Sequence, residues 1–335
     1  MKAVKVTRPG VLELVEIGRR PLGQGEVRLE VEAVGICGSD VALWAGTHPY
    51  AVYPVIPWPE VGGRVIEAAD PGLRRGQRVS VRPLLTCGRC DACLEGSLNR
   101  CPEVRVLGVH LDGGMAEEII VPATSLFPVP EGVTAEAAAL VEPAAVAVHV
   151  VHRADLRAGD RVAVLGTGVI GLLCLQVAKA WGASFVLGVD REPSRLALAS
   201  RFGADRVVDN RFENPAEVGL DLYPDGFDIV LDLVGVEETL GAALALARRG
   251  GTIVPVALPH RPVELDLEPF YRKELSLRAT RLYADDFAEA VPLVADGRVD
   301  VESLVTHRFP LSEAERALSL PRDQPEQAVK VMIEP

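Results

Sequence analysis

Lysine is scarce in this 335-residue chain. Arginine carries most of the positive charge, and lysine stands only at positions 2, 5, 179, 273 and 330. A GC-rich genome produces such a bias, and so does thermal adaptation, although hyperthermophile proteomes as a class favour Lys and Glu. An excess of positive charge is also lacking. The net charge is −12, which argues against a nucleic-acid partner, whose phosphates demand a basic face. No apolar run reaches the roughly 18 residues of a membrane span. The opening segment MKAVKVTRPG lacks the apolar core of a signal peptide. There is no internal repeat and no low-complexity linker. The expectation is a soluble, cytoplasmic protein with no membrane or nucleic-acid partner. Its 48% hydrophobic content is ordinary, and its length suffices for two domains with their own cores.

The texture of the chain changes part-way. Residues 27–34, VRLEVEAV, alternate apolar and polar with the period of a half-buried strand. Short strand-like runs recur to about residue 130, among them RVSV at 78–81 and AEEIIVP at 116–122, punctuated by Gly and Pro. Beyond about residue 155, apolar runs (RVAVLG, FVLGVD, DIVLDLVG, GGTIVPVAL) alternate with helix-like stretches such as VIGLLCLQVAKAWG. That alternation predicts βαβ units on a parallel sheet. From about 280 the elements are mixed again, and KVMIE reads as a closing strand.

Within the second half, RVAVLGTGVIG at 161–171 fits G-x-G-x-x-G at Gly166, Gly168 and Gly171. Alone the pattern is weak; here it follows an apolar strand and opens an amphipathic helix. The first glycine makes a tight turn, the second admits a pyrophosphate close to the backbone, and the third lets helix and strand pack. The helix N-terminus, with Val169 and Ile170, then faces the negative charge. Asp190 ends the next strand, about twenty residues on, where an acid bonds the ribose hydroxyls of NAD and repels a 2′-phosphate. NAD is expected over NADP, tempered by Arg191, because an adjacent arginine can accommodate the phosphate. Arg195 joins the expected cofactor contacts.

Of six cysteines, four (Cys87, Cys90, Cys93 and Cys101) crowd into CGRCDACLEGSLNRC. With no secretory signal, such spacing points to metal before disulfides. Four thiolates close a tetrahedral, structural zinc site; an iron–sulfur cluster is the chemical rival. Cys174, inside GLLCLQVA, reads as a small core residue.

Taken together, GICGSD at 35–40, the four-cysteine lobe, DGGMAEEIIVP at 112–122, VEPAAVAVH at 141–149, the GTGVIG loop and GADRVVD at 203–209 resemble the zinc-containing medium-chain alcohol and polyol dehydrogenases nearly end to end. The branch of sorbitol, threonine and sugar-acid dehydrogenases is the most similar. LGVHLDGG at 107–114 and LVTHRF at 304–309 lean toward bacterial enzymes of gulonate or galactonate. The resemblance implies an α/β fold: a GroES-like β-rich catalytic domain from 1–143 and 280–335, with the lobe at 87–101, and a Rossmann doubly wound parallel sheet at 144–279. It makes the lobe a structural zinc site, brings Val256 and Leu258 near the nicotinamide, and suggests a homotetramer or homodimer.

The resemblance also implies a catalytic zinc that binds the alcohol as a Lewis acid while a hydride passes to the nicotinamide. Cys37 matches the cysteine ligand, Glu142 the acid, and Glu60 the glutamate after the family's histidine. Ser39 matches the hydroxyl that passes the substrate proton to solvent, and Ser39 or Asp40 is also a plausible cap for the helix-like VALWAG. The histidine itself should stand at 59. Here the stretch reads Trp58-Pro59-Glu60; proline has no donor, the family's glycine has become Trp58, and Asp40 loses the histidine it would orient. Three arrangements follow. Zinc binds through Cys37, Glu60 and Glu142; or His48, else His110, substitutes; or the catalytic metal is absent and Trp58 fills part of its space. His149, His152, His260 and His307 read as structural or surface residues.

The expected activity is NAD-dependent, zinc-assisted oxidation of a secondary alcohol, a polyol or sugar acid, to a ketone. The alternatives are a zinc-independent reductase on the same fold and a catalytically impaired NAD-binding regulatory protein.

Overall fold

The structure, a computed structural model, describes residues 1–68, 72–257, 259 and 261–335. The chain divides into two compact units. The first comprises Met1–Pro143, Ala284–Gly297 and Val301–Pro335; the second comprises Ala144–Tyr283 and Arg298–Asp300.

The first unit is β-rich. Its main sheet runs Val305–Pro310, Lys330–Glu334, Glu26–Gly35, Glu60–Ala68, Arg78–Val81, Leu126–Pro128, with Glu118–Pro122 also paired to Glu26–Gly35. All these pairs are antiparallel except that of Val305–Pro310 with Lys330–Glu334. The closing strand expected from KVMIE is therefore interior to the sheet. Strand Glu26–Gly35 departs from simple alternation, being buried on both faces over much of its length. Arg28 is tolerated there because Glu67 accepts from its Nε at 3.1 Å and Glu118 lies 3.6 Å from Nη1. The apolar core gathers Leu29, Val31, Trp58, Val61, Met115 and Ile333.

The second unit carries six parallel strands in the spatial order Arg206–Asp209, Phe185–Asp190, Arg161–Leu165, Phe227–Asp232, Ala247–Pro255, Ser276–Leu277. Numbered in sequence, that order is 3-2-1-4-5-6, the doubly wound arrangement whose ligands bind at the carboxyl ends where the strand order reverses. Strands buried on both faces read as continuous apolar runs, as in Val162 to Leu165 and Val186 to Val189. Cys174 is wholly buried in helix Val169–Ala180, as a core residue.

Helix Ala135–Ala154 is long and apolar enough to cross a membrane by composition, but 78% of that stretch is buried inside the protein. Its small residues admit close approach. A Cβ at Gly62 would stand 2.2 Å from the Ala135 carbonyl oxygen.

Candidate active site and metal centre

The four cysteines converge. Their sulfurs all lie within 4.8 Å of one another, with Cys90 to Cys93 at 3.5 Å and Cys87 to Cys93 at 3.9 Å. Tetrahedral thiolates about 2.3 Å from a zinc ion stand about 3.8 Å apart, so the cage is already of the right size. Short local structure sets it: Cys90 precedes the helical turn Asp91–Leu94, and Cys101 follows the 3-10 turn Leu98–Arg100. The Arg89 and Cys90 amides pull the Cys87 thiol down to about 6. Cys90 goes up to about 12, the Cys93 amide being outweighed by burial and the neighbouring sulfurs. Such thiols share protons that a cation would displace.

In the second unit the glycine loop has the geometry its chemistry requires. Gly166 adopts φ 94°. A Cβ at Gly171 would lie 2.0 Å from the Gly166 carbonyl oxygen, whereas one at Gly168 would meet nothing within 4 Å. The third glycine is thus a packing necessity and the second faces open space. Gly168 also caps helix Val169–Ala180, whose first amides have no partner within the helix. Asp190 is tied in closely. One carboxylate oxygen accepts from Thr167 N at 2.8 Å and Thr167 Oγ1 at 3.3 Å. The other accepts from the amides of Arg191 at 2.8 Å and Glu192 at 3.0 Å. Arg195 Nη1 stands 4.0 Å from the first oxygen, while Arg191 is exposed and pairs loosely with Glu192. Val256 follows its strand, its amide donating to Asp232 O at 2.8 Å. Leu258, like His260, lies outside the described residues.

Cys37 caps helix Gly38–Ala45, and Asp40, at the third helical position, accepts from the Cys37 amide at 2.9 Å. Asp40, not Ser39, therefore does the capping. Ser39, next but one to Cys37 in the chain, is half-buried. Burial, then the Glu60 and Asp40 carboxylates, pushes the Cys37 thiol up to about 12. Burial likewise holds the Asp40 carboxyl well above its ordinary range, and its Oδ1 has no hydrogen-bond partner.

Facing these acids is a residue that the sequence did not single out. Lys330 is 2% exposed, donates from Nζ to Ile36 O at 2.8 Å, and lies 2.6 and 2.5 Å from the two carboxylate oxygens of Glu60, itself 2% exposed. Gly35 makes room for the pair, since a Cβ there would stand 2.0 Å from Glu60 Oε2. Trp58 is fully buried with its indole Nε1 unbonded, and its φ is 83°, a region where a bulky residue is an outlier. Pro59 is buried beside it.

The model of the alcohol dehydrogenase GroES-like domain matches residues 23–131, and that of zinc-binding dehydrogenases matches residues 169–296. L-galactonate-5-dehydrogenase of Escherichia coli K12 is 32% identical over 295 residues, 87% of this chain and 86% of its own. The chain belongs to the zinc-type medium-chain dehydrogenases. As a member of that family it is an oxidoreductase, and the expected fold class, a GroES-like unit and a Rossmann parallel sheet, is borne out. A crystal structure of a zinc-binding dehydrogenase from Sinorhizobium meliloti 1021, bound to NADP, superposes with a TM-score of 0.93 at 33% identity, covering 100% of this chain and 99% of its own. A short chain alcohol dehydrogenase from E. coli CFT073, complexed with NADH, gives 0.93 at 31% identity, with coverage of 100% and 99%.

The family pattern has two metal positions, one structural and one catalytic. The four cysteines fit a structural zinc by number, donor type and spacing. The residues expected at the catalytic position do not fit a second ion. Pro59 offers no donor, Glu60 is engaged by Lys330, and Cys37, Glu60 and Glu142 do not converge; among the described residues only the four cysteines do. The substitute histidines are not drawn in either. His48 Nδ1 accepts from Tyr50 N at 3.3 Å and His110 Nδ1 from Val106 N at 3.0 Å.

Proposed function

We propose that this chain is an NAD-dependent dehydrogenase that oxidises a secondary alcohol of a polyol, sugar acid or related substrate to a ketone. The observation that carries the reading is the glycine loop of the second unit, closed at the end of the next strand by Asp190, whose carboxylate is oriented by three backbone amides. The amides opening helix Val169–Ala180 suit a pyrophosphate, and an oriented acid at Asp190 suits free ribose hydroxyls. The kinship with L-galactonate-5-dehydrogenase supports the substrate class. The alcohol carbon gives a hydride to the nicotinamide, and the hydroxyl proton leaves toward solvent by way of the Ser39 hydroxyl. Zinc held by Cys37, Glu60 and Glu142 would polarise the alcohol oxygen, but these residues fit such an ion poorly. The enzyme is taken to work in the cytoplasm as a soluble homodimer or homotetramer on a small molecule, with no nucleic-acid or membrane partner.

The test is a panel of polyols, sugar acids and their keto forms, assayed with NAD and NADP alongside NADH binding by fluorescence. Turnover of one such class with NAD favoured is expected. Reduction of quinones or enals alone would point to a zinc-independent reductase. NADH binding with no turnover of any substrate would point to the regulatory reading, which Pro59 and the engaged Glu60 favour.

A further inference from the structure

We infer that this chain holds one zinc ion, in its four-cysteine lobe, and that the residues around Pro59, with Glu60 ion-paired to Lys330, hold no second, catalytic one. The inference concerns the donor atoms of the first unit and does not depend on the substrate.

Four observations in the same unit converge on it. Pro59, buried at the position where the family expects its imidazole ligand, brings no donor atom. Glu60 has both carboxylate oxygens within 2.6 Å of Lys330 Nζ. Turning that carboxylate to a metal would take from an ammonium that is 2% exposed its direct ion-pair partner, and a buried charge stripped of its partner is strongly unfavourable. Local packing also limits rearrangement. Glu60 lies against the bare Cα of Gly35, and the backbone of Trp58 is wedged between two further glycines. A Cβ at Gly108 would stand 2.7 Å from Trp58 N, and one at Gly113 would stand 2.6 Å from Trp58 O. Segment 57–60 is therefore fixed in place, with the Trp58 indole wholly inside the protein. Finally, Cys37, Glu60 and Glu142 do not form a converging donor set, whereas the four cysteines form one of the size that zinc requires.

Lys330 also explains how a carboxylate survives at Glu60 without a metal. The pair is self-neutralising, and the Ile36 carbonyl takes a further ammonium hydrogen. Four thiolates compete strongly for zinc; one thiol beside an occupied carboxylate does not.

The test is metal counting on the whole purified chain, grown zinc-replete, incubated with excess zinc and freed of loosely held ion. One zinc per chain is expected, unchanged in Cys37→Ser, and cobalt substitution should give a single tetrathiolate spectrum. Two per chain, with the second lost in Cys37→Ser, would overturn the inference. A second arm addresses Lys330 itself. Zinc should bind about tenfold more weakly to Pro59→His than to Pro59→His/Lys330→Met, the scale on which groups behind metal ligands act. Equal affinity in the two variants would remove Lys330 from the account. NADH binding on the same preparations keeps the readings apart. Two zinc ions with NADH bound overturn this inference and leave the dehydrogenase reading standing. One zinc with no NADH binding supports the inference and overturns that reading.

Discussion

Replacing Lys330 by methionine keeps most of the side chain's length and apolar stem and removes the charge. Glu60 is then left as a buried carboxylate without its counter-ion, since both residues are 2% exposed in the native protein. Breaking such a pair from one side costs about 3–5 kcal/mol, and orphaning the Ile36 carbonyl adds about 1 kcal/mol or more. The total, about 4–6 kcal/mol, is a large share of the 5–15 kcal/mol typical of a folded domain. Glu60→Gln, which strands the ammonium instead, should cost a comparable amount. The double variant should be far less damaged than the sum, because removing both charges of a buried pair is often near neutral. The coupling energy is expected to be about 3 kcal/mol or more. Urea unfolding in a Trp181→Phe background reads the first unit through Trp44 and Trp58, which both lie in it. The reasoning is refuted if Lys330→Met loses less than about 1 kcal/mol, or if the two single costs simply add.

Two other changes test the rest of the frame. Asp190→Ala should weaken NADH binding and lower the preference for NAD over NADP, and unpairing the wholly buried Thr167 amide among others should cost about 2 kcal/mol of stability; an unchanged cofactor preference would show that this acid does not discriminate the ribose. Cys90→Ser should release the structural zinc and expose residues 87–101 to protease while hydrogen exchange in the second unit stays as in the parent; full zinc retention would refute the four-thiolate assignment.

Much of this molecule was legible because its signals are local. The glycine loop, the four cysteines and the apolar strand runs each lie within about fifteen consecutive residues, where spacing alone specifies geometry. Pro59 was conspicuous for the same reason, as a break inside a motif. Lys330 was not, because its partner Glu60 is 270 residues away and a lysine opening a terminal strand reads as an exposed end. Only the sheet order, which puts Lys330–Glu334 beside Glu26–Gly35, turns that side chain inward. Arg28 was hidden similarly, since the alternation of VRLEVEAV gave it to solvent while its acids come from two other strands. In the family pattern Asp40 supports a histidine that is missing here; its bond to the Cys37 amide shows that helix capping alone is reason enough for an acid there.

The backbone at Trp58 has a consequence for how reversible this site is. Its φ of 83° is a posture that glycine takes freely and that costs other residues about 1–3 kcal/mol, so tryptophan is not what bends the chain there. Gly108 and Gly113, pressed against it, belong to that bend whatever residue occupies position 58. Side chains at 58 and 59 can thus be exchanged within an existing backbone. The route back to a family-like motif runs through point substitutions, with no loop to rebuild, and directed evolution for metal dependence could begin from this chain.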